Sequence, residues 1–352
     1  MFFLSEKGLN KMDKLAEWIA VKRDIRIYND IVTKKATLGR QKLLDEIDWL
    51  TTIGSQWPEH FPKILATRKY DTYAEYDMPY YKMKNLAEVI IDGSHNRNEI
   101  LTITNRIFYF LAEHLHFAIK QQVLENYVFK NYIEKIFLRF KAGSSRSDLF
   151  DKITNYKELI INGKKIENIY SLIDKLLGNK LFYSLTTPQF IGYFHGDFKP
   201  DNILVDFDND NFILIDPRGK SPSGNLFSDY VEDFSKFRTC TNSFYDLFRS
   251  NKYKLTIHNN NICWELSINP DVLITLNQID QQVLDITKEI STIENDNLYY
   301  FRLLFIEAIL LIANAPFQII EANDSSCENR AIVQFCRGLE LLNEFYDVLN
   351  KD

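Results

Sequence analysis

The stretch Phe194–Gly219, FHGDFKPDNILVDFDNDNFILIDPRG, decides how this chain is read. It passes from loop to strand to turn to strand. Ile203–Asp206 and Phe212–Ile215 are apolar, β-prone runs, and Asp208-Asn209-Asp210-Asn211 between them supplies turn residues. A hairpin of that length returns the chain to the end from which it set out, so Asn202 before the first strand and Asp216 after the second are expected side by side. An amide oxygen and a carboxylate so placed suit Mg²⁺, which takes a few hard protein oxygens and fills its remaining positions from a polyphosphate. Asp197, five residues before Asn202, can face the same point without touching the metal. A base for an attacking hydroxyl belongs there.

HGDFKPDN followed by IDPRG resembles the catalytic and metal-binding loops of the aminoglycoside phosphotransferase and choline kinase branch of the protein-kinase-like superfamily. The resemblance implies a bilobal α+β fold, with a small β-rich lobe carrying one helix at 1–83 and a larger, mainly helical lobe at 84–352. It also implies that Asp197 is the catalytic Asp, that Asn202 and Asp216 are the Mg²⁺ ligands, and that ATP or GTP is the co-substrate. His195 falls on the loop's structural histidine. Lys199 stands two residues after the Asp, where many protein kinases carry a lysine on the transferred phosphoryl group. Gly196 occupies the place of the Arg found in regulated protein kinases, and Pro-Arg-Gly follows Asp216 in place of Phe-Gly, so control by loop phosphorylation is not expected. Arg218 in that loop is read either as an acceptor contact or as a tether. Asp233, within Asp229–Lys236, falls on the residue that braces the catalytic loop from behind.

Upstream, Ile25–Tyr28 and Ile31–Lys35 are β-rich runs joined by Asn29-Asp30, a two-residue hairpin signal that lacks the usual glycine. Arg40–Leu50 has Leu43, Ile47 and Leu50 at helical spacing. Phe61–Ala66 and Tyr73–Tyr81 read as further strands. The superfamily needs a strand lysine paired with a helical glutamate to hold the α and β phosphates. Lys34 is the candidate, with Val32 on the same strand face against the adenine, and Lys35 replaces it if the register shifts by one. Glu46 projects near the apolar stripe and is the better partner, whereas Asp45 points away. The lobe connection is expected through Met78-Pro79-Tyr80-Tyr81, with Met78 and Tyr80 beside the nucleotide base. No glycine-rich phosphate loop is legible before Lys34, because Gly8 is the only glycine in the first 38 residues.

Downstream, Ile103, Ile107, Phe110, Leu111 and Leu115 form the apolar stripe of a buried helix over Ile100–Lys120. Residues 121–189 read as a helical insert with patches at Tyr132–Phe140 and Ile169–Leu177 and a polar break at Gly143–Ser147. That insert holds eleven Lys and Arg against seven Asp and Glu. The excess fits an anionic acceptor or a solvated helix face, and the second is the simpler reading. The insert and the C-terminal helices are expected to enclose a small acceptor: a sugar, an amino alcohol or an aminoglycoside.

The 352 residues carry a net charge of −6, which argues against a nucleic-acid partner. The four cysteines lack C-x-x-C spacing, and the histidines lack ligand spacing. Met1–Leu4 is apolar but is followed at once by charges, and the run Leu303–Phe317 is interrupted by Glu307, Asn314 and Pro316. Neither a signal peptide nor membrane insertion is expected, and a cytoplasmic setting follows. Two other readings stay open. A nucleotide-binding or partner-binding pseudokinase is favoured by the absent glycine loop, and a protein kinase by Lys199.

Overall fold

β1 (Arg23–Tyr28) and β2 (Ile31–Ala36) pair antiparallel around Asn29-Asp30. Both turn residues lie in the left-handed region, at φ 50° and 57°, as a two-residue turn matched to strand twist requires, and asparagine and aspartate tolerate it without glycine. The computed structural model describes residues 23–93, 95–321 and 324–350. Met1–Leu4, Gly8 and Trp18 lie outside them.

α1 (Arg40–Thr52) follows, then β3 (Ala66–Lys69) and β4 (Ala74–Pro79), giving a sheet in the order β1-β2-β4-β3. The strand expected over Phe61–Ala66 begins only at Ala66. Pro62 has no N–H for a ladder, and Phe61 instead packs edge-on against Trp49 of α1, with ring centroids 5.0 Å apart. Alternation on β2 buries Val32, Lys34 and Ala36. Their cross-strand partners Met78, Tyr76 and Ala74 are buried on the same face, which α1 covers with Leu43, Ile47 and Leu50.

The chain then leaves this sheet. β5 (Lys84–Asn85) joins β9 (Ile203–Asp206) and β10 (Asn211–Leu214) in a second sheet ordered β10-β9-β5. Asn85 caps α2 (Leu86–Asp92) by accepting the Glu88 N–H at 2.8 Å. α3 (Arg97–Phe110) runs on into a π turn at Leu111–His116.

The segment 121–189 is not wholly helical. α4 (Glu134–Ser144) and α5 (Asp148–Asn155) are followed by a hairpin of β6 (Glu158–Ile161) and β7 (Lys164–Glu167), then by α6 (Ile169–Gly178) and α7 (Phe182–Thr186). Asn162-Gly163 turns the hairpin with φ 50° and 80°. The short β8 (Gly192–Tyr193) pairs with β11 (Phe227–Ser228). α8 (Tyr230–Thr241) and α9 (Tyr245–Arg249) precede β12 (Tyr253–His258) and β13 (Asn261–Leu266), which extend the insert's hairpin into a sheet ordered β12-β13-β6-β7. α10 (Pro270–Ile293), α11 (Tyr299–Glu321) and α12 (Cys327–Leu349) complete the larger lobe.

α8 is buried along its whole length, packed by α10 and α11. The apolar stretch of α11 is longer than Leu303–Phe317. Tyr299–Ile320 is long and apolar enough to cross a bilayer by length and composition, yet 78% of its most apolar window is buried in the protein. A central core position accounts for that apolarity. Glu307 survives inside it because Asn242 Nδ2 donates to it at 2.8 Å and Arg238 Nη1 lies 3.3 Å away.

Arg302 of α11 ties this core together. Its guanidinium reaches Asp229 Oδ2 and Asp296 Oδ2, each at 2.6 Å, and all three groups are buried. Arg302→Met is expected to strand two buried carboxylates and to cost about 3–5 kcal/mol of stability. A urea titration checks this: the midpoint should fall with an unchanged slope, and an unmoved midpoint refutes the role.

Candidate active site

The hairpin β9–β10 pairs Ile203 with Leu214 and Asp206 with Asn211. The pairing continues one step past the strands, because the Ile215 N–H donates to the Asn202 carbonyl at 2.9 Å. Asn202 and Asp216 therefore emerge side by side at the open end of the hairpin. Asp216 itself has φ 60°, a left-handed kink that turns its carboxylate toward the N-terminal sheet. There Lys34 Nζ lies 2.5 Å from Asp216 Oδ1 and 2.6 Å from Glu46 Oε1. Glu46 is fixed in turn by the Tyr76 hydroxyl, which donates to it at 2.7 Å. Lys34 is 1% exposed, so burial with two carboxylates keeps its ammonium in one place. Lys35, on the opposite face, sits 3.8 Å over the Tyr73 ring.

Asp197 faces the same region from the loop before β9. Asn202 Nδ2 donates to the Asp197 backbone carbonyl at 2.8 Å and to Oδ2 at 3.0 Å, which directs the Asn202 amide oxygen away from Asp197. The loop is held from behind by Asp233 of α8, which accepts the N–H groups of His195 and Gly196, each at 2.8 Å, and lies 3.1 Å from His116 Nε2. His195 is fully buried, and burial lowers its pKa, so it is a neutral structural group. Gly196 adopts φ 79°, and a Cβ there would meet Arg218 Cβ at 2.7 Å. An arginine in its place has neither the backbone freedom nor the room.

Two ammonium groups flank Asp197. Lys236 Nζ stands 3.0 Å from Oδ1, and Lys199 Nζ stands 3.9 Å from Oδ2 while pairing with Asp201 at 2.8 Å. Burial would raise the Asp197 pKa, but Lys236, Lys199 and Arg218 outweigh it and hold the carboxyl well below the usual range. The side chain is still 34% exposed, so it is open to solvent. Lys236 was not among the sequence candidates. It lies three residues after Asp233 on α8, hence on the same helix face, and that spacing was the available signal. Asp201 is a half-buried brace shared by Lys199 and Arg249, each at 2.8 Å.

The lobe connection needs a correction. Met78 is buried opposite Val32 on the inward face, but the Tyr80 N–H is committed to the Asp30 carbonyl at 2.8 Å and its side chain is exposed. The Tyr80 N–H is therefore not open to a nucleotide base. The β1–β2 turn has captured it, because the ladder between β2 and β4 continues one residue beyond Pro79. Past Asp216, Gly219 at φ 82° packs on α1 so closely that a Cβ would lie 2.4 Å from the Asp45 backbone, and Lys220 Nζ pairs with Asp45 at 2.9 Å. These contacts join the loop after Asp216 to the helix that carries Glu46.

No family model matches the chain, and no curated protein matches it. Among solved structures it resembles a thermostable mutant of aminoglycoside phosphotransferase APH(4)-Ia in ternary complex with AMP-PNP and hygromycin B. The two are 11% identical, with a TM-score of 0.50 over 96% of this chain and 98% of that one. The chain has the fold of the aminoglycoside phosphotransferases. Aminoglycoside phosphotransferase APH(4)-Ia (10% identity, TM-score 0.46, 95% and 99% covered) and aminoglycoside-3'-phosphotransferase of type VIII (14%, 0.39, 80% and 98%) are also similar.

Proposed function

We propose that this protein is a phosphotransferase that moves the γ-phosphoryl group of ATP or GTP to a hydroxyl of a small molecule. The observation that supports it most is the meeting of Lys34, Asp216, Asn202 and Asp197 from two lobes at one place. Such a group has no evident purpose in a fold held together elsewhere.

The donor set fits Mg²⁺. Asn202 Nδ2 is committed to Asp197, leaving its amide oxygen for a cation, and Asp216 is turned into the cleft by its φ of 60°. Both are hard oxygen donors, and two protein ligands with phosphate oxygens are the usual complement. Bound there, the ion would neutralise charge on the β and γ phosphates.

Lys34, held by Glu46, meets the α and β phosphates, and Val32 and Met78 flank the base. The acceptor hydroxyl is oriented by Asp197. Its oxygen attacks the γ-phosphorus, the bond from that phosphorus to the β-bridging oxygen breaks, the hydroxyl proton passes to Asp197 or to water, and ADP or GDP leaves. Lys199 and Lys236 keep Asp197 ionised and oppose charge growing on the transferred group.

Incubating the protein with γ-labelled ATP or GTP, Mg²⁺ and a metabolite extract, followed by mass spectrometry, tests this. Mg²⁺-dependent labelling of a small molecule is expected. Nucleotide binding without slow Mg²⁺-dependent turnover refutes it in favour of a binding module, and label confined to polypeptide refutes it in favour of a protein kinase.

A further inference from the structure

Next to Asp197 the protein buries polar atoms that have no hydrogen-bond partner among the described residues. Lys135 of α4 is 8% exposed, and its Nζ has no hydrogen-bond partner. Its nearest compensation is the Tyr132 ring, 5.2 Å from the nitrogen. Burial first, and then the like charges of Arg139, Arg218 and Lys236, push its pKa well below the usual lysine value, and Glu232 opposes them. Arg218 Nη1 and Glu232 Oε1 are also buried, and they form a loose ion pair at 3.6 Å with no hydrogen bond to either atom among the described residues. The other carboxylate oxygen of Glu232 is occupied by the hydroxyls of Tyr132, at 3.2 Å, and Ser228.

This group is continuous with the candidate active site. Lys236, one of the cations bearing on Lys135, stands 3.0 Å from Asp197 Oδ1. Arg218 follows Asp216 in the metal loop and acts on both Asp197 and Lys135. Buried donors and acceptors left unmade are costly and rare in native proteins, so each calls for a partner such as a bound ligand, an ion or water. The basic excess of the insert is thus not all a solvated helix face, since Lys135 lies inside the protein.

We propose that the acceptor is an anionic polyol, a sugar-like molecule carrying a carboxylate or a phosphate, whose negative group is held by Lys135 and Arg218 and one of whose hydroxyls donates to Glu232. The inference rests on the phosphotransferase reading and names its substrate class. A polycationic acceptor such as an aminoglycoside would add charge to a place already crowded with cations, and a neutral sugar would bring no counter-charge to favour the cationic form of Lys135, which burial and its neighbours disfavour.

The test uses the full chain with Mg²⁺ and ATP, or with AMP-PNP for binding, and the probes glucuronate, glucose 6-phosphate, glucose, glucosamine and hygromycin B. ADP formation and calorimetric binding are the readouts. One of the two anionic probes is expected to act at a concentration at least about tenfold below glucose, the scale of one charge-assisted hydrogen bond, and which one does so identifies carboxylate or phosphate. Lys135→Met should erase that preference by raising KM with little change in kcat, while leaving nucleotide affinity alone. Lys135→Arg should retain it. If Lys135→Met fails to fold, Lys135→Gln, which keeps a polar head without the charge, carries the same expectation. Glucose, glucosamine or hygromycin B acting as well as the anions overturns the inference, however robust ADP formation is. Anion preference without Mg²⁺-dependent ADP formation overturns the phosphotransferase reading and leaves the anion site standing.

Discussion

Asp197→Asn is expected to lower turnover by about 10²–10⁴-fold, the range of a lost positioned acid–base group, while the affinity for Mg²⁺-nucleotide stays unchanged. The argument is geometric. Asp197 is contacted by Asn202, Lys236 and Lys199 but not by Lys34, so removing its charge leaves the lysine–glutamate–Asp216 arrangement intact. The substitution keeps the shape of the side chain and the backbone carbonyl that Asn202 uses. The state of Asp197 sharpens the expectation. With its pKa depressed by the two lysines and Arg218 against the effect of burial, it is ionised in the folded protein throughout about pH 5–8, and its stabilising contribution fades only as pH falls toward the depressed value. An acid limb in the pH–rate profile within that window must therefore come from another group. On the proposed reading, Asp197 would serve mainly to orient the hydroxyl and accept its proton late, in a transition state with little bond formation to the nucleophile. Steady-state rates, nucleotide titration calorimetry and circular dichroism check the prediction. Equal loss of turnover and nucleotide affinity, or loss of fold, defeats it.

How much of this was readable beforehand depends on how local each cause is. The β9–β10 hairpin is legible because two short apolar runs and an Asx-rich turn lie within a dozen residues. The juxtaposition of Asn202 and Asp216 follows from strand pairing alone. Lys34 and Lys35 could not be separated by pattern, since Thr33-Lys34-Lys35 does not alternate, and the choice is made by long-range pairing of β2 with β4, which puts Lys34 opposite Tyr76. Lys236 was signalled only by its spacing from Asp233 and Lys135 by nothing local, because the surroundings of both depend on where α8 and α4 pack. Other elements were legible and passed over. Asn162-Gly163 between Glu158–Ile161 and Lys164–Glu167 is a strong hairpin signal. α10 announces itself through the Asn269 cap, Pro270 in the first turn, and Val272, Leu276, Ile279, Val283, Ile286 and Ile290 along one face. The commitment of the Tyr80 N–H to Asp30 lay beyond sequence, because it turns on a single hydrogen bond where β2 and β4 run out.

Asp216→Asn is expected to abolish the gain in nucleotide affinity that Mg²⁺ gives the wild type and to reduce turnover by several kcal/mol of transition-state stabilisation, about 10³-fold or more. Asparagine is the informative replacement. It accepts the left-handed φ of 60° at this position, whereas alanine would add about 1–2 kcal/mol of backbone strain and confuse a lost ligand with a distorted loop. Lys34 would keep Glu46 as its partner, so its ammonium stays in place for the phosphates, and affinity measured in excess chelator should match the wild type. The two substitutions thus separate along different axes. Asp197→Asn leaves the metal dependence of binding and removes turnover, and Asp216→Asn removes the metal dependence first and turnover as its consequence. Calorimetric titration of ADP and AMP-PNP with and without Mg²⁺ reads the difference directly. If Asp216→Asn binds nucleotide with the same metal dependence as the wild type, the cation is held elsewhere, and the convergence of the hairpin with Lys34 must have another purpose.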